Sequence, residues 1–251
     1  MDTDRTENQA PRIFELPVHT FHTRLLRLLV RIVKRPVESI TGLRACDKIY
    51  ARTWRMPKDI PFCDRALQAI GIRTDFSEAD LARIPKEGAV VVVANHPFGG
   101  IEGIILLSLL RRVRPDVKAM ANYLLGAIPE MQGDFILVDP FGSKNSAKAN
   151  LRPLKESLSW LKEGHLLIVF PSGEVSSFDR RTLRVRDPAW SASIAALTRK
   201  TNATVVPMFF PGRNNVFFQI AGFLHPRFRT SLLPRQIANK TGWKITVRIG
   251  T

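Results

Sequence analysis

The chain has 251 residues, 45% of them apolar, with 38 Lys and Arg against 22 Asp and Glu for a net charge of +16. That length and apolar fraction support a sizeable buried core and exclude global disorder. The basic surplus draws polyanions, whether nucleic acid, anionic lipid headgroups or phosphorylated small molecules. No block alternates aromatics with Lys and Arg as a single-strand stacking platform would, and no Cys/His spacing fits zinc. Charge alone does not choose among these partners, though nucleic acid and zinc each lack their sequence signal. Cys46 and Cys63 are the only cysteines, either one disulfide or two idle thiols in a reducing compartment.

In chain order, residues 1–20 read as a polar tail without the basic and then apolar pattern of a secretory signal. Residues 21–60 read as an amphipathic helical region. In "FHTRLLRLLVRIVKR" (21–35), Arg24, Arg27, Arg31 and Lys34 recur at helical spacing on one face beside a broad Leu/Val/Ile surface, and Pro36 is the expected stop. Such a helix suits the plane of an anionic membrane interface or, equally, docking on its own domain with a solvated stripe. "ITGLRACDKIYARTWRM" follows as a second helix able to form a hairpin with the first. No uncharged apolar run reaches the roughly 20 residues that span a bilayer.

Residues 61–251 read as an α/β domain. "GAVVVVANH" is a strand of the fully buried kind, "IEGIILLSLLRRV" a helix, and "VKAMAN" and "FILVD" short strands. "NSAKANLRPLKESLSWLKEG" is a helix ending at Gly164, "HLLIVFPSGEVS" a buried strand entering a turn, and "WSASIAALTRKTN" a helix. "TVVPMFFPG" and "KITVRIGT" close the chain as strands. Strands alternating with helices predict a mostly parallel central sheet flanked by helices. In such sheets ligands bind at the carboxyl ends of strands, where "NHPFGGIE" and "FPSGEVSS" both fall.

His96 should emerge at the sheet rim, where an imidazole can act as a general base. Glu102 is the nearby acid that could hold one ring nitrogen and leave the other free. On one continuous helix, six steps of about 100° would put the two side chains on different faces. Gly99 and Gly100 permit a turn first, with the helix starting near Ile101 and Glu102 in its first turn, where the dipole favours a carboxylate. In the second loop, backbone N–H groups and the hydroxyls of Ser172, Ser176 and Ser177 around Gly173 could hold a phosphate or oxyanion. Each loop alone also has a plain structural reading, as a hydrogen-bonded His and a tight turn.

"NHPFGGIEG" resembles the first motif of the PlsC-like glycerolipid and lysophospholipid acyltransferases, "FPSGEVS" their third-block turn, and "VVPMFFPGRNN" their late block. The forms are most similar to the hemolysin-like bacterial branch, which includes ornithine-lipid acyltransferases. The resemblance covers roughly residues 75 to 250. It implies acyl transfer from an acyl carrier protein or coenzyme A thioester to a lyso-lipid, without a cofactor, metal or covalent acyl-enzyme. His96 would be the general base and Glu102 its orienting acid. Asn95, Gly99, Gly100, Ser172, Gly173, Glu174 and Arg213 would contribute to substrate binding. Membrane lipids and acyl carrier protein are the implied partners, on the cytoplasmic face of the inner membrane as a peripheral, monotopic protein.

The chain departs from the family pattern in three places. The acid comes at Glu102 rather than at Ile101, five residues after the histidine. "FPEG" becomes "FPSG", with the acid moved to Glu174. The arginine expected after a short apolar strand is missing from "FILVDPFGSKNS", where Pro140 falls near that place and Lys144 is the nearest base. The apolar helix after His96 and the Phe-rich stretch from Met208 could line an acyl groove or simply pack in the core. "FDRRTLRVRD" gathers Arg180, Arg181, Arg184 and Arg186, for lipid phosphates, an acidic carrier or solvent. The rival reading is a catalytically inactive basic module binding lipid headgroups or nucleic acid. The end at "KITVRIGT", directly after a strand, also allows a piece of a longer protein.

Overall fold

The structure, a computed structural model, describes residues 10–16, 24–139 and 149–250, with backbone alone at 24–27, 29, 31, 226 and 227. The polar tail up to residue 9, the side chains of Arg24, Arg27 and Arg31, and Lys144 lie outside the described set. The chain packs as two compact units, one of residues 1–72 and 214–243 and the other of 73–213 and 244–251.

The first unit is helical. α1 (Arg24–Thr41) and α2 (Leu43–Arg55) are separated only by Gly42. Its φ of +87° and its closeness to Arg235 require glycine, since a Cβ there would lie 2.4 Å from the Arg235 Cα. The expected stop at Pro36 is corrected: α1 runs through it. Pro36 offers no N–H to the ladder, and Glu38 secures the following turn by accepting the Leu16 N–H at 3.1 Å and facing Lys34 Nζ at 3.7 Å. α3 (Phe62–Ile70) packs Cys63, Leu67 and Ile70 inward. Buried Arg65 closes the C-terminal end of α2 by donating to the Thr53 carbonyl at 2.9 Å. α8 (Val216–Leu224), α9 (Pro226–Ser231) and α10 (Leu233–Ala238) complete this unit.

The second unit is built on a six-stranded sheet in the order β10-β8-β2-β5-β3-β4. Its strands are β2 (Val90–Ala94), β3 (Val117–Asn122), β4 (Phe135–Val138), β5 (Leu166–Val169), β8 (Thr204–Phe209) and β10 (Arg248–Ile249). All neighbours run parallel except β10, which pairs antiparallel with β8. The mostly parallel α/β fold predicted from alternation is thus observed. β2 is buried at every residue, as its unbroken valines require of a strand covered on both faces. One face holds Val91, Val93, Leu167 and Val169 against Leu161 of α6 (Leu151–Lys162) and Leu197 of α7 (Ala192–Thr201). Pro153 is tolerated because it falls in the first turn of α6, where N–H groups have no intrahelical acceptor. α5 (Ile101–Leu110) is largely core: Ile101, Ile105, Leu106, Leu107 and Leu110 are all fully buried.

Two expectations at the sheet's periphery change. "KITVRIGT" is two strands in two sheets: β9 (Lys244–Thr246) pairs in parallel with β1 (Arg73–Asp75), and β10 joins the main sheet. The arginine-rich "FDRRTLRVRD" is an antiparallel hairpin of β6 (Ser177–Asp179) and β7 (Arg184–Arg186). A short α4 (Glu78–Leu81) is capped by Ser77.

Candidate active site

β2 and β5 are adjacent and parallel, with Val93 opposite Val169, so the loops after them leave the same edge side by side. His96 comes from the first and Phe170 from the second. Their rings stack with centroids 4.3 Å apart and an interplanar angle of 29°. The His96 side chain keeps 18% exposure, while Glu102 has none.

The loop from Phe98 to Gly100 wraps around the Glu102 carboxylate. Oε1 accepts the Phe98 N–H at 2.5 Å and the Gly99 N–H at 3.2 Å, and Oε2 accepts the Gly100 N–H at 3.1 Å. Three successive amides aimed at one anion require unusual backbone, and Gly99 (φ +86°) and Gly100 (φ +137°) supply it. α5 begins at Ile101, so Glu102 sits in its first turn as expected. His96 Nδ1 lies 3.4 Å from Glu102 Oε1, and the sixth-residue acid does reach the histidine. This spacing is longer than a formed N–H···O bond, and buried Nδ1 makes no hydrogen bond to any other group among the described residues. Burial would raise the Glu102 pKa. The His96 charge, the contact with the ring and the Phe98 N–H outweigh it and hold the carboxyl below its ordinary 4.5.

Asp187, absent from the sequence reading, fastens the histidine from behind. Its Oδ1 accepts the His96 N–H at 3.2 Å and also the Ser176 hydroxyl, and its Oδ2 accepts the Trp190 indole N–H at 3.3 Å. Ser176 N–H in turn donates to the His96 carbonyl at 2.9 Å. The β6–β7 hairpin brings the chain back to place Asp187 between the two loops. Its only sequence signal is a lone acid, the last in the chain, ending an arginine run.

The remaining expected residues are distributed as follows. Asn95 gives both ends of its amide to Phe210, accepting its N–H at 2.7 Å and donating to its carbonyl at 2.9 Å, which ties the ends of β2 and β8 together. Phe98, fully inside, packs on Gly212, where a Cβ would lie 2.7 Å from its ring. Gly173 (φ +67°) makes the second turn, its N–H donating to the Phe170 carbonyl at 2.9 Å. Ser172 donates its hydroxyl to the Glu174 carbonyl at 2.8 Å. Glu174 and Arg213 are exposed. The second loop touches the first through Ser176 and through the ring of Phe170. Beside the site a largely apolar cavity of about 340 Å³ is lined by Asn95, Trp190, Pro207, Phe209, Ile249 and Arg248.

An imidazole with a buried acid behind it, at the joint of two strand-end loops, has the geometry with which a hydroxyl proton can be taken. The sequence profile of the acyltransferase family matches residues 23–250, and the chain belongs to that family. Among its relatives, a lyso-glycine lipid O-acyltransferase of Phocaeicola vulgatus is 29% identical over 139 residues, covering 55% of this chain and 47% of the relative. One from Bacteroides thetaiotaomicron is 30% identical over 139 residues, covering 55% and 48%. The chain thus spans about half the length of the curated relatives it matches. The crystal structure of the 1-acyl-sn-glycerophosphate acyltransferase PlsC from Thermotoga maritima aligns with a TM-score of 0.41 and 18% identity, over 89% of this chain and 84% of that one.

Proposed function

We propose that this chain transfers a fatty acyl group from an acyl carrier protein or coenzyme A thioester to a hydroxyl of a lyso-lipid, at the cytoplasmic face of the inner membrane. The observation that carries the reading is the His96–Glu102 pair. Nδ1 faces the buried carboxylate, and the side chain keeps 18% exposure, through which an acceptor reaches Nε2. Nε2 takes the proton of the acceptor hydroxyl as its oxygen attacks the thioester carbonyl. The tetrahedral intermediate then collapses, the C–S bond breaks, and the thiolate leaves with the proton that the imidazolium returns. Glu102 balances the imidazolium charge between these steps. No group of this chain is acylated along the way.

Ser172, Gly173, Glu174 and Arg213 are assigned to the acceptor headgroup, and the apolar cavity beside Asn95 to a hydrocarbon segment near the reacting bond. Lyso-amino-acid lipids are the favoured acceptors, because two relatives are lyso-glycine lipid O-acyltransferases. The branch resembled in sequence is also the hemolysin-like one. The test is a matrix of purified protein, acyl carrier protein and coenzyme A donors, and lyso-glycine, lyso-ornithine and lysophosphatidate acceptors, with products read by mass spectrometry. Lipid profiles of cells lacking and overproducing the protein complete it. Acylation of a lyso-amino-acid lipid supports the reading; transfer confined to lysophosphatidate would overturn the acceptor assignment.

A further inference from the structure

α8, "VFFQIAGFL", contains no charged residue, yet only Phe218 and Gln219 of its nine residues are buried. Phe217 is 79% exposed and Leu224 74%, with Val216, Ile220 and Phe223 also exposed. At 100° per residue these five positions fall within about 120° of arc, a single apolar face. The helix is not loosely held. Asn215 caps it by accepting the Phe218 N–H at 3.0 Å, Phe218 is completely inside, and Gly222 lets Arg229 of α9 lie against it. Phe228 at the start of α9 is exposed as well. A rigid helix thus presents a contiguous apolar surface to solvent, beyond what scattered surface residues produce.

The charge around it identifies the occupant. No Asp or Glu occurs after Asp187, whereas Arg227, Arg229 and Arg235 follow α8 in the same unit. A second copy of this chain would bring two basic rims of the same sign together. An anionic bilayer leaflet accepts both the aromatic face and the arginines. We propose that α8 inserts its Val216–Phe217–Ile220–Phe223–Leu224 face into an anionic membrane interface, lying in the plane of the leaflet. It would be an anchor additional to the N-terminal helix expected from the sequence. This deepens the proposed action on membrane lipids and rests on that reading for its purpose, though its test needs no turnover.

The experiment uses the full chain and vesicles of phosphatidylcholine alone or with phosphatidylglycerol. Phe217→Ser combined with Leu224→Ser should weaken partition to the anionic vesicles by roughly tenfold or more. Circular dichroism and the melting temperature should stay unchanged, since both side chains are on the surface. Separately, Ile220→Cys carrying an environment-sensitive dye should shift to the blue and be quenched by lipid-borne quenchers. Both native cysteines are buried, so labelling is specific. Acyl transfer to a detergent-dispersed acceptor should be the same for the double variant and the wild type. Unchanged partition, or a dye that stays in water, overturns the proposal. So does a double variant that only dissociates a dimer in ultracentrifugation. Absence of all transfer with normal partition would sink the enzymatic reading and leave this one standing.

Discussion

Glu102 is a carboxylate without solvent, surrounded by three loop amides and one imidazole. Exchange for Gln keeps the volume but turns an amide donor toward N–H groups that already donate. Glu102→Gln should therefore lower kcat by about 10²-fold to 10⁴-fold while KM for the acceptor changes little, read in initial-rate kinetics. Asp187 touches the histidine only through its backbone. Asp187→Ala should cost on the order of 10²-fold in kcat by letting His96 and the second loop drift apart, with the fold retained in circular dichroism. His96 and Glu102 could be paired on paper because the Gly-Gly between them removes the constraint of a continuous helix. Positive φ at both glycines is what lets an acid one position late reach the ring. Asp187 could not be found in this way, since it lies 91 residues from its partner and no local pattern marks it.

At the scale of elements, the sheet's amino-terminal edge carries a polar clip opposite in chain sense to the site. Arg114, before β3, forms a two-bonded pair with Asp116, with its Nε 2.7 Å from Oδ1, and also donates to the Gly88 carbonyl at 2.8 Å and the Gly164 carbonyl at 2.6 Å. His165, before β5, adds a 2.8 Å contact to Asp116. One guanidinium thus joins the starts of β2, β3 and β5. Arg114→Ala should lower unfolding free energy by about 3–5 kcal/mol in urea titrations, because buried acceptors lose their donor. The Arg114 hydrogen bonds, then that of His165, overcome partial burial and hold Asp116 at about 2 from an ordinary 3.8. The folded value is the lower one, so this stabilisation is complete above about pH 4 and is lost as pH falls toward 2. Asp116→Asn should flatten the fall in melting temperature across that window. Buried strands and their intervening helices were legible because unbroken β-branched runs have few other uses. The split of "KITVRIGT" and the continuation of α1 through Pro36 were not, because tertiary pairing and Glu38, rather than local propensity, decide them.

At the scale of the whole molecule, a basic chain of the acyltransferase family combines a helical unit with an α/β unit that carries the site. Charge pointed to an anionic partner, and the strand-end loops to where a site would form. Composition could not reveal that residues 214–243 fold with the N-terminal helices, since nothing local distinguishes them from other helical stretches. Cys46, in that unit, is pushed up to about 12 by burial and then by the Asp47 charge. Thiol labelling at pH 8 should therefore be slow and track opening of the helical unit, accelerating with urea; rapid labelling of native protein would contradict this packing.

The proposed acyl transfer depends on His96 as its base. The direct measurement compares wild type and His96→Ala for acylation of a lyso-amino-acid lipid by a thioester donor, with vesicle binding measured on the same preparations. Transfer should fall to background, with binding to phosphatidylglycerol vesicles and melting temperature unchanged. Transfer at the wild-type rate would contradict this role. Absence of transfer by the wild-type protein toward every acceptor and donor, with binding intact, would favour an inactive basic module instead.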